Sequence, residues 1–339
     1  MKIDIEAHFY TKEYIKTLRR NEGYPKFIWD EETKTYWLWY TAEVSRSHRD
    51  IFLEKILDVG ELRVREMDEA GVIKQVLSLS TPGVEQLETS VAVRLARETN
   101  DFLSKVVEKY PERFDGFAAL APQDPGEAAD ELERAVKDLG LKGWKTHSNF
   151  GNTYIDNKRY WPILEKAEKL GVPIYLHPTV PAIPQLREYG FPLAAAAFGF
   201  GVETAMCVMR LIFSGALDKY PRLKIILGHL GEGLPFIFRR IDYPFLKPTL
   251  SNEEKPKIEK KPSEYIRNNI YVTTSGNYHE PAFLCTYWTL GIDRILFATD
   301  YPYEDLKECI MFIEKIPITL EEKEKIYYKN AASLIPRLI

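Results

Sequence analysis

Eight short runs of apolar or β-branched residues recur along the chain, each separated from the next by a stretch of helical periodicity. They are Lys2 to Glu6, Ile73 to Leu79, Phe114 to Leu120, Leu141 to Thr146, Pro173 to Leu176, Lys224 to Leu227, Ile270 to Thr274, and Ile295 to Thr299. Intervening segments such as GEAADELERAVKDLG and YWPILEKAEKLG are charged, amphipathic and end in Gly, as helices do at their C-caps. Strand and helix in regular alternation predict a parallel sheet, because parallel neighbours need a crossover. An open doubly wound sheet alternates in the same way but carries a glycine-rich phosphate loop after an early strand. Neither GxGxxG nor GxxxxGK[ST] follows one here. The pattern therefore predicts an α/β protein of the (β/α)8, or TIM-barrel, class. With 339 residues the chain fits such a barrel plus insertions as one domain over 1–339.

One segment breaks the alternation. Residues 21–50 contain YPKFIWDEETKTYWLWYTAEVSRSHRD, dense in Tyr and Trp, with a polar DEET stretch suited to a hairpin turn. Because it follows the first strand, it should arch over the mouth of the barrel. It reads equally as an aromatic lid that supplies Arg46 or Arg49 to an anion, or as a hairpin that buries its aromatics against a second subunit. The Pro- and Lys-rich stretch KPTLSNEEKPKIEKKPSEY, from Lys247, reads as a solvated loop before the seventh strand.

Composition narrows the classes. Hydrophobic content of 45% and charged content of 28% describe a soluble globular protein, and a net charge of −4 gives no reason to expect a nucleic-acid partner. The three cysteines, Cys207, Cys285 and Cys309, form no CxxC pair, so neither a disulfide framework nor a zinc knuckle is expected. The N-terminus MKIDIEAHFY has no long apolar core, and later apolar stretches break well short of a membrane span. A cytoplasmic protein without a membrane partner is the expectation.

The chemistry gathers where strands end. KIDIEAHF, VPIYLHP, KIILGHLGEG and RILFATDYPY each finish in a potential ligand or proton-transfer group. Residues two apart on a strand share a face, so Glu6 and His8 can reach one point while Ala7 turns away. With His177 and Asp300 they make a set of carboxylate and imidazole donors suited to one divalent ion, Zn²⁺ or Mn²⁺. In barrels of this class the active site lies at the C-terminal ends of the strands, where these four fall. His229 can face the same cavity, and Glu232 in HLGE is close enough to fix its tautomer.

EAHF, YLHP, the run MRLIFSGALDKYPRLKIILGHLGEGLPF with RRID after it, FATDYPYE and the closing KNAASLI together resemble the amidohydrolase-2 branch of the metal-dependent amidohydrolase superfamily. Within that branch the Glu-x-His of the first strand resembles the hydroxybenzoate decarboxylases (γ-resorcylate, 2,3-dihydroxybenzoate and 5-carboxyvanillate decarboxylase), where many hydrolytic relatives carry His-x-His. The resemblance implies that Glu6, His8, His177 and Asp300 ligate one ion, and that His229 is catalytic with Glu232 orienting it. It implies substrate contacts from Arg240, and the pattern allows the same of Arg46 and Tyr303. Lys145 and His147 in WKTHS stand where some amidohydrolases place a carboxylated lysine between two metals; a structural or pocket-lining role is expected instead. His48 and His279 are expected at the surface or rim.

The activity implied is non-oxidative decarboxylation of a small ortho-hydroxylated aromatic acid, with Asp300 giving a proton to the ring carbon that bears the carboxylate. The alternatives are a metal-dependent hydrolase of a lactone or amide, and a catalytically silent binding protein on the same fold. Family likeness also implies a homodimer or homotetramer.

Overall fold

In the computed structural model, which describes residues 1–247 and 249–338, the eight runs become parallel strands of one ring. The first, β1 (Ile3–Phe9), leads into a helix at Lys12–Arg20 and then a small antiparallel sheet of β2 (Lys26–Asp30), β3 (Thr35–Trp39) and β4 (Ser45–His48). The ring continues with β5 (Lys74–Leu79), β6 (Phe114–Gly116), β7 (Trp144–His147), β8 (Ile174–His177), β9 (Ile225–Leu227), β10 (Ile270–Thr273) and β11 (Ile295–Leu296). Hydrogen bonding orders the strands β1-β5-β6 and β7-β8-β9-β10-β11. Both seams between these arcs are bridged. Ala118, just past β6, pairs in parallel with Trp144, and Ala7 pairs in parallel with Tyr301. The main chain also crosses the second seam from Ile5 N to Phe297 O at 3.2 Å and from His8 N to Tyr301 O at 2.7 Å. The barrel is thus closed in the order of the sequence.

Boundaries differ from the apolar runs in two informative places. The first strand continues through His8 to Phe9, because the ligand-bearing half still pairs with Ser78 and Leu79. The third shrinks to Phe114–Gly116, its apolar continuation forming the seam instead. The two segments with Gly ends are helices. Pro125–Lys137 is capped by Asp124, whose carboxylate accepts from Glu127 N at 3.1 Å, and Trp161–Leu170 ends at Gly171 with φ 67°. The polar stretch from Lys247 is mostly turns, with Pro248 outside the described residues, and its last residues already belong to a helix at Pro262–Asn269.

Two apolar layers make the core. The outer one fills the space between strands and helices, with Ala7, Leu77, Trp144, Ile174, Leu227 and Val272 meeting helix residues such as Leu132 and Leu164. The inner one plugs the barrel, where Ile3, Ile5, Val76, Phe117, Tyr175, Ile226 and Leu296 meet Leu334, Ile335 and Leu338 of the C-terminal segment. That segment sits at the strand starts, since Lys74 and Lys142 donate to the carbonyls of Leu338 and Arg337. The opposite end stays open for polar groups.

The aromatic insertion packs on this open rim. Phe27, Leu38, Tyr40 and Val44 are buried with Tyr10, Tyr14 and Leu79, while Ile28 and Trp29 keep 41% and 39% of their surface exposed. DEET forms the β2–β3 turn, where the Asp30 carboxylate accepts from Thr33 N at 2.7 Å.

Candidate active site

The two-residue alternation of β1 slips once. Its register against β5 shifts between Asp4 and Ala7, so that three β1 residues span two of β5. Such a bulge puts consecutive residues on one side. Ile5 joins the inner plug and Ala7 the outer core, leaving Glu6 and His8 inside the barrel. Asp4 turns out of that line and ties neighbours together. Its carboxylate accepts from Gln75 Nε2 at 3.0 Å, Thr299 Oγ1 at 2.6 Å, Thr299 N at 3.0 Å and Glu6 N at 3.1 Å. The group therefore spaces β1 from the Asp300 loop, although burial pushes its pKa up to about 6.

Glu6 is fully buried, and its two oxygens have different company. Oε2 accepts from Ser275 Oγ at 2.5 Å and Thr273 Oγ1 at 3.2 Å. Oε1 has no hydrogen-bond partner. Around Oε1 stand His177 Nε2 at 3.3 Å and His8 Nε2 at 3.8 Å, while His8 Nε2 lies 2.8 Å from Asp300 Oδ1. None of these four atoms makes an aligned hydrogen bond, though each is buried. Buried polar atoms left unpaired cost stability unless another group satisfies them. The four residues each offer one donor atom, all within 4.8 Å of one another. Donors about 2.1 Å from a shared ion stand roughly 3–4 Å apart, which is the spread of the shortest pairs. The residues present fit a divalent ion.

The surroundings prepare the ligands. The His177 Nδ1–H donates to Pro178 O at 2.8 Å, which leaves Nε2 with its lone pair toward the cluster. Burial, and after it the charge of Lys145, hold that imidazole well below its ordinary pKa and hence neutral. Burial works against the charge of Glu6, yet His177 and His8 keep its carboxyl well below the usual range. Arg63, buried at 0% exposure, donates to the His8 carbonyl at 2.7 Å and covers the Tyr301 ring at 4.7 Å.

His229 stands beside this cluster, with Nε2 3.8 Å from Glu6 Oε1 and Nδ1 2.7 Å from Glu232 Oε1. Burial pulls its pKa down, but Glu232 overcomes that and raises it to about 10. The loop holding the pair is strained: His229, Leu230 and Glu232, with Asp300 on the loop after β11, make four of the six non-glycine residues with positive φ among those described. Strain of this kind persists where surrounding structure over-determines it. Gly276, at φ 64°, passes so close that a Cβ there would meet His229 Cδ2 at 3.1 Å.

The cluster opens into a cavity of about 600 Å³. Tyr40 and Arg46 of the insertion form part of its wall with Phe191, Phe200 and Tyr303. The Arg46 guanidinium lies over the rings of Tyr303, Phe52 and Phe191 at 4.7, 5.1 and 5.5 Å. It meets no carboxylate within ion-pair distance among the described residues. Tyr303 also bonds Ser80 Oγ at 2.8 Å.

Other histidines and one arginine lie elsewhere. Arg240 is exposed on Tyr243 at 5.6 Å, outside the cavity lining, because the loop after His229 carries it over the surface. His48, expected at the surface or rim, is instead fully buried among Tyr10, Phe27 and Phe52, and burial lowers its pKa to about 3. His279 is exposed on an adjoining apolar groove that shares His229, Gly233 and Asn277 with the cavity. His147 and Lys145 are buried together under the cluster. Lys145 Nζ lies 2.8 Å from His147 Nε2 and donates to Leu79 O, while His147 Nδ1 faces Glu85 Oε1 at 3.0 Å; burial lowers Lys145 to about 7. Sequence reasoning missed Thr273, Ser275, Asn277 and Glu304. TTSGN closes the seventh strand and opens its loop, and that position was the available signal for the first three of these residues.

A closed parallel barrel with unpaired carboxylate and imidazole donors at the C-terminal strand ends defines a class of metal-dependent barrel enzymes. Matched over residues 3–337 by the family model described as amidohydrolase, this chain belongs to the amidohydrolase family. It is 39% identical over 345 positions to a γ-resorcylate decarboxylase of Polaromonas sp. (strain JS666), covering 98% of each chain. Among solved structures, 5-carboxyvanillate decarboxylase from Sphingomonas paucimobilis superposes with TM-score 0.87 at 33% identity, covering 98% of both chains. A dihydroxybenzoic acid decarboxylase from Polaromonas sp. JS666, with bound manganese and the inhibitor 2-nitroresorcinol, gives TM-score 0.84 at 37% identity, over 98% of this chain and 96% of that one.

Proposed function

We propose that this chain is a metal-dependent carboxy-lyase that removes the carboxylate of an ortho-hydroxylated aromatic acid as CO₂, without oxidation, leaving a phenol. The observation that carries the reading is the set of four buried, unpaired donor atoms on Glu6, His8, His177 and Asp300 at the floor of an aromatic-walled cavity. In this reading those residues hold one divalent ion, and the relative's manganese makes Mn²⁺ the first metal to test ahead of Zn²⁺. Once bound, the ion supplies the positive charge that fixes the substrate carboxylate with its neighbouring phenolate oxygen.

The protein's own groups then divide the work. Asp300 turns Oδ1 toward His8 and presents the rest of its carboxyl to the cavity, where it delivers a proton to the ring carbon bearing the carboxylate. As that C–H bond forms, the C–C bond to the carboxylate breaks. Its electron pair restores the ring and CO₂ leaves, and solvent returns a proton to Asp300. Glu232 orients His229 through Nδ1 and keeps the ring protonated, so that Nε2–H faces a substrate oxygen. Arg46 offers a fork of donors to a substrate anion, and the rings around it exclude water.

The test is CO₂ release from a panel of ortho-hydroxybenzoates by protein of measured metal content. Silence across the panel, with opening of lactones or amides, would transfer the chain to the hydrolases. Asp300→Asn is expected to abolish turnover while the protein keeps part of its metal; unchanged turnover would remove Asp300 as the donor. The proposal extends to a cytoplasmic setting, in keeping with three free thiols, and to a homodimer or homotetramer, in keeping with Phe236 and Trp288 at 85% and 74% exposure.

A further inference from the structure

The turn that carries His229 and Glu232 is left-handed throughout. Five consecutive residues have positive φ: His229 at 53°, Leu230 at 58°, Gly231 at 87°, Glu232 at 52° and Gly233 at 79°. Like any helical turn it brings residues three apart to one face, which sets Glu232 beside His229. The Glu232 carboxylate is enclosed, with 6% of the side chain exposed. Its Oε1 accepts from His229 Nδ1 at 2.7 Å, and its Oε2 faces Gly201. A Cβ on Gly201 would lie 3.0 Å from that oxygen and, among the described residues, would meet nothing else outside its own helix within 4 Å. Gly201 is the third residue of the helix Gly199–Phe213, between β8 and β9. Its φ is not positive, so its backbone makes no demand for glycine, and alanine is the better helix former at such a position. The start of that helix has no side-chain cap, and its first N–H groups and dipole favour a carboxylate close by. The missing side chain therefore has its reason in Glu232 and not in the helix.

We propose that Gly201 is a positioning residue: only a position without a side chain lets Glu232 keep one oxygen on His229 while the other rests against the start of this helix. A methyl group there is closer than ordinary contact allows, so the carboxylate has to move. It has little room to do so. Gly228 borders its other oxygen, where a Cβ would lie 3.6 Å from Oε1, and a strained turn held by its surroundings does not relax freely. Gly276 bounds the pair on the side of the imidazole. A reacting group misplaced by about 1 Å loses roughly 10²-fold in rate, so a smaller shift of the carboxylate that orients His229 should lower it by about tenfold or more. The effect on rate rests on the decarboxylase reading, whereas the effect on the pair rests on the geometry alone.

The experiment measures the effect of Gly201→Ala in the manganese-loaded enzyme, with Glu232 present and in a Glu232→Ala background. With Glu232 present, kcat for the best ortho-hydroxybenzoate should fall about 10–100-fold. KM and Mn²⁺ affinity should change little, and the melting temperature should stay equal or rise, as alanine suits the helix. In the Glu232→Ala background the same substitution should change kcat by less than about twofold, because the group it displaces is gone. An unchanged kcat with Glu232 present, or a fall of the same size in both backgrounds, overturns the proposal. A rise in KM alone also overturns it, since the glycine then only makes room for substrate. If Gly201→Ala fails to fold while the double variant folds, the clash with Glu232 is confirmed; if neither folds, the helix itself needs the glycine and the proposal falls. If the wild type decarboxylates nothing, the reaction assignment has failed, and crystal structures of wild type and Gly201→Ala judge the pair. Separation of His229 Nδ1 from Glu232 beyond about 3.5 Å in the variant supports the positioning role, and a retained hydrogen bond refutes it.

Discussion

Ser275→Ala tests whether Glu6 is held in place by its own scaffold or only by a metal. The Ser275 hydroxyl donates to Glu6 Oε2 at 2.5 Å, and Thr273 adds a second, longer bond at 3.2 Å. Hydrogen bonds to a buried charge contribute about 1.5–3 kcal/mol each. Thr273 is a weak substitute, since its own bond to Glu6 Oε2 is the longer one at 3.2 Å and its hydroxyl is already held by His229 N at 3.2 Å. Removing the serine hydroxyl leaves Glu6 freer to rotate Oε1 away from His177 and His8. The loss should appear in metal affinity, as groups that orient a ligand typically contribute about 10–100-fold. The assay is titration of metal-free protein with Mn²⁺, followed by the paramagnetic signal of the free ion, with thermal unfolding as a control on folding. The dissociation constant should rise by about 10–100-fold, with turnover at saturating Mn²⁺ much less affected. An affinity within about twofold of the wild type, in a protein that unfolds at the same temperature, would refute it.

Glu232→Gln should keep its metal but lose most of its turnover, about 10²–10⁴-fold, because His229 loses the carboxylate that orients it and holds its proton; retained turnover would free His229 from any role. In metal-free protein the same change has a pH signature. His229 is raised to about 10 from its ordinary 6.5, so its pairing stabilises fully below pH 6.5 and is lost as pH rises toward 10. The stability gap between wild type and Glu232→Gln, read by thermal unfolding, should close across that window. Arg46→Ala should raise KM for the aromatic acid by about 10–100-fold, equal to one charge-assisted contact, with little change in melting temperature. Gly83→Ala should destabilise the fold by about 2 kcal/mol or more, because the residue sits at φ 67° and a Cβ would lie 2.1 Å from Glu85 Oε2 and 2.4 Å from His147 Cε1; an unshifted melting curve would contradict the packing described for that pair.

Exposed and buried positions respond to different information. The apolar runs read the strands because each is sheathed on both faces, by the inner plug and by the helices, and so is apolar nearly throughout. Glu6, His8, His177 and Asp300 stood out because charged or imidazole groups ending such runs have no local reason to be there. His48 was misjudged for the opposite reason. SRSHRD looks polar, but the insertion folds back so that Phe27, Phe52 and Tyr10 enclose the ring. Arg240 and Arg46 were indistinguishable as isolated guanidiniums, and only the path of each loop put one in the cavity and the other on the surface.

By itself the sequence determined the alternation of strand and helix, hence a closed parallel barrel, and the donors that end its strands, because both depend on spacings of a few residues. The tertiary structure decided what those donors meet. Glu6 is gripped by hydroxyls 267 and 269 positions away, and Thr299 is tied to Asp4 across 295 positions. Such contacts exist only once the last strand closes on the first, and no local period records them. The bulge that sets Glu6 and Ile5 on one side of β1, and the two loops that bring Asn277 and Glu304 into the cavity lining, belong to that closure as well.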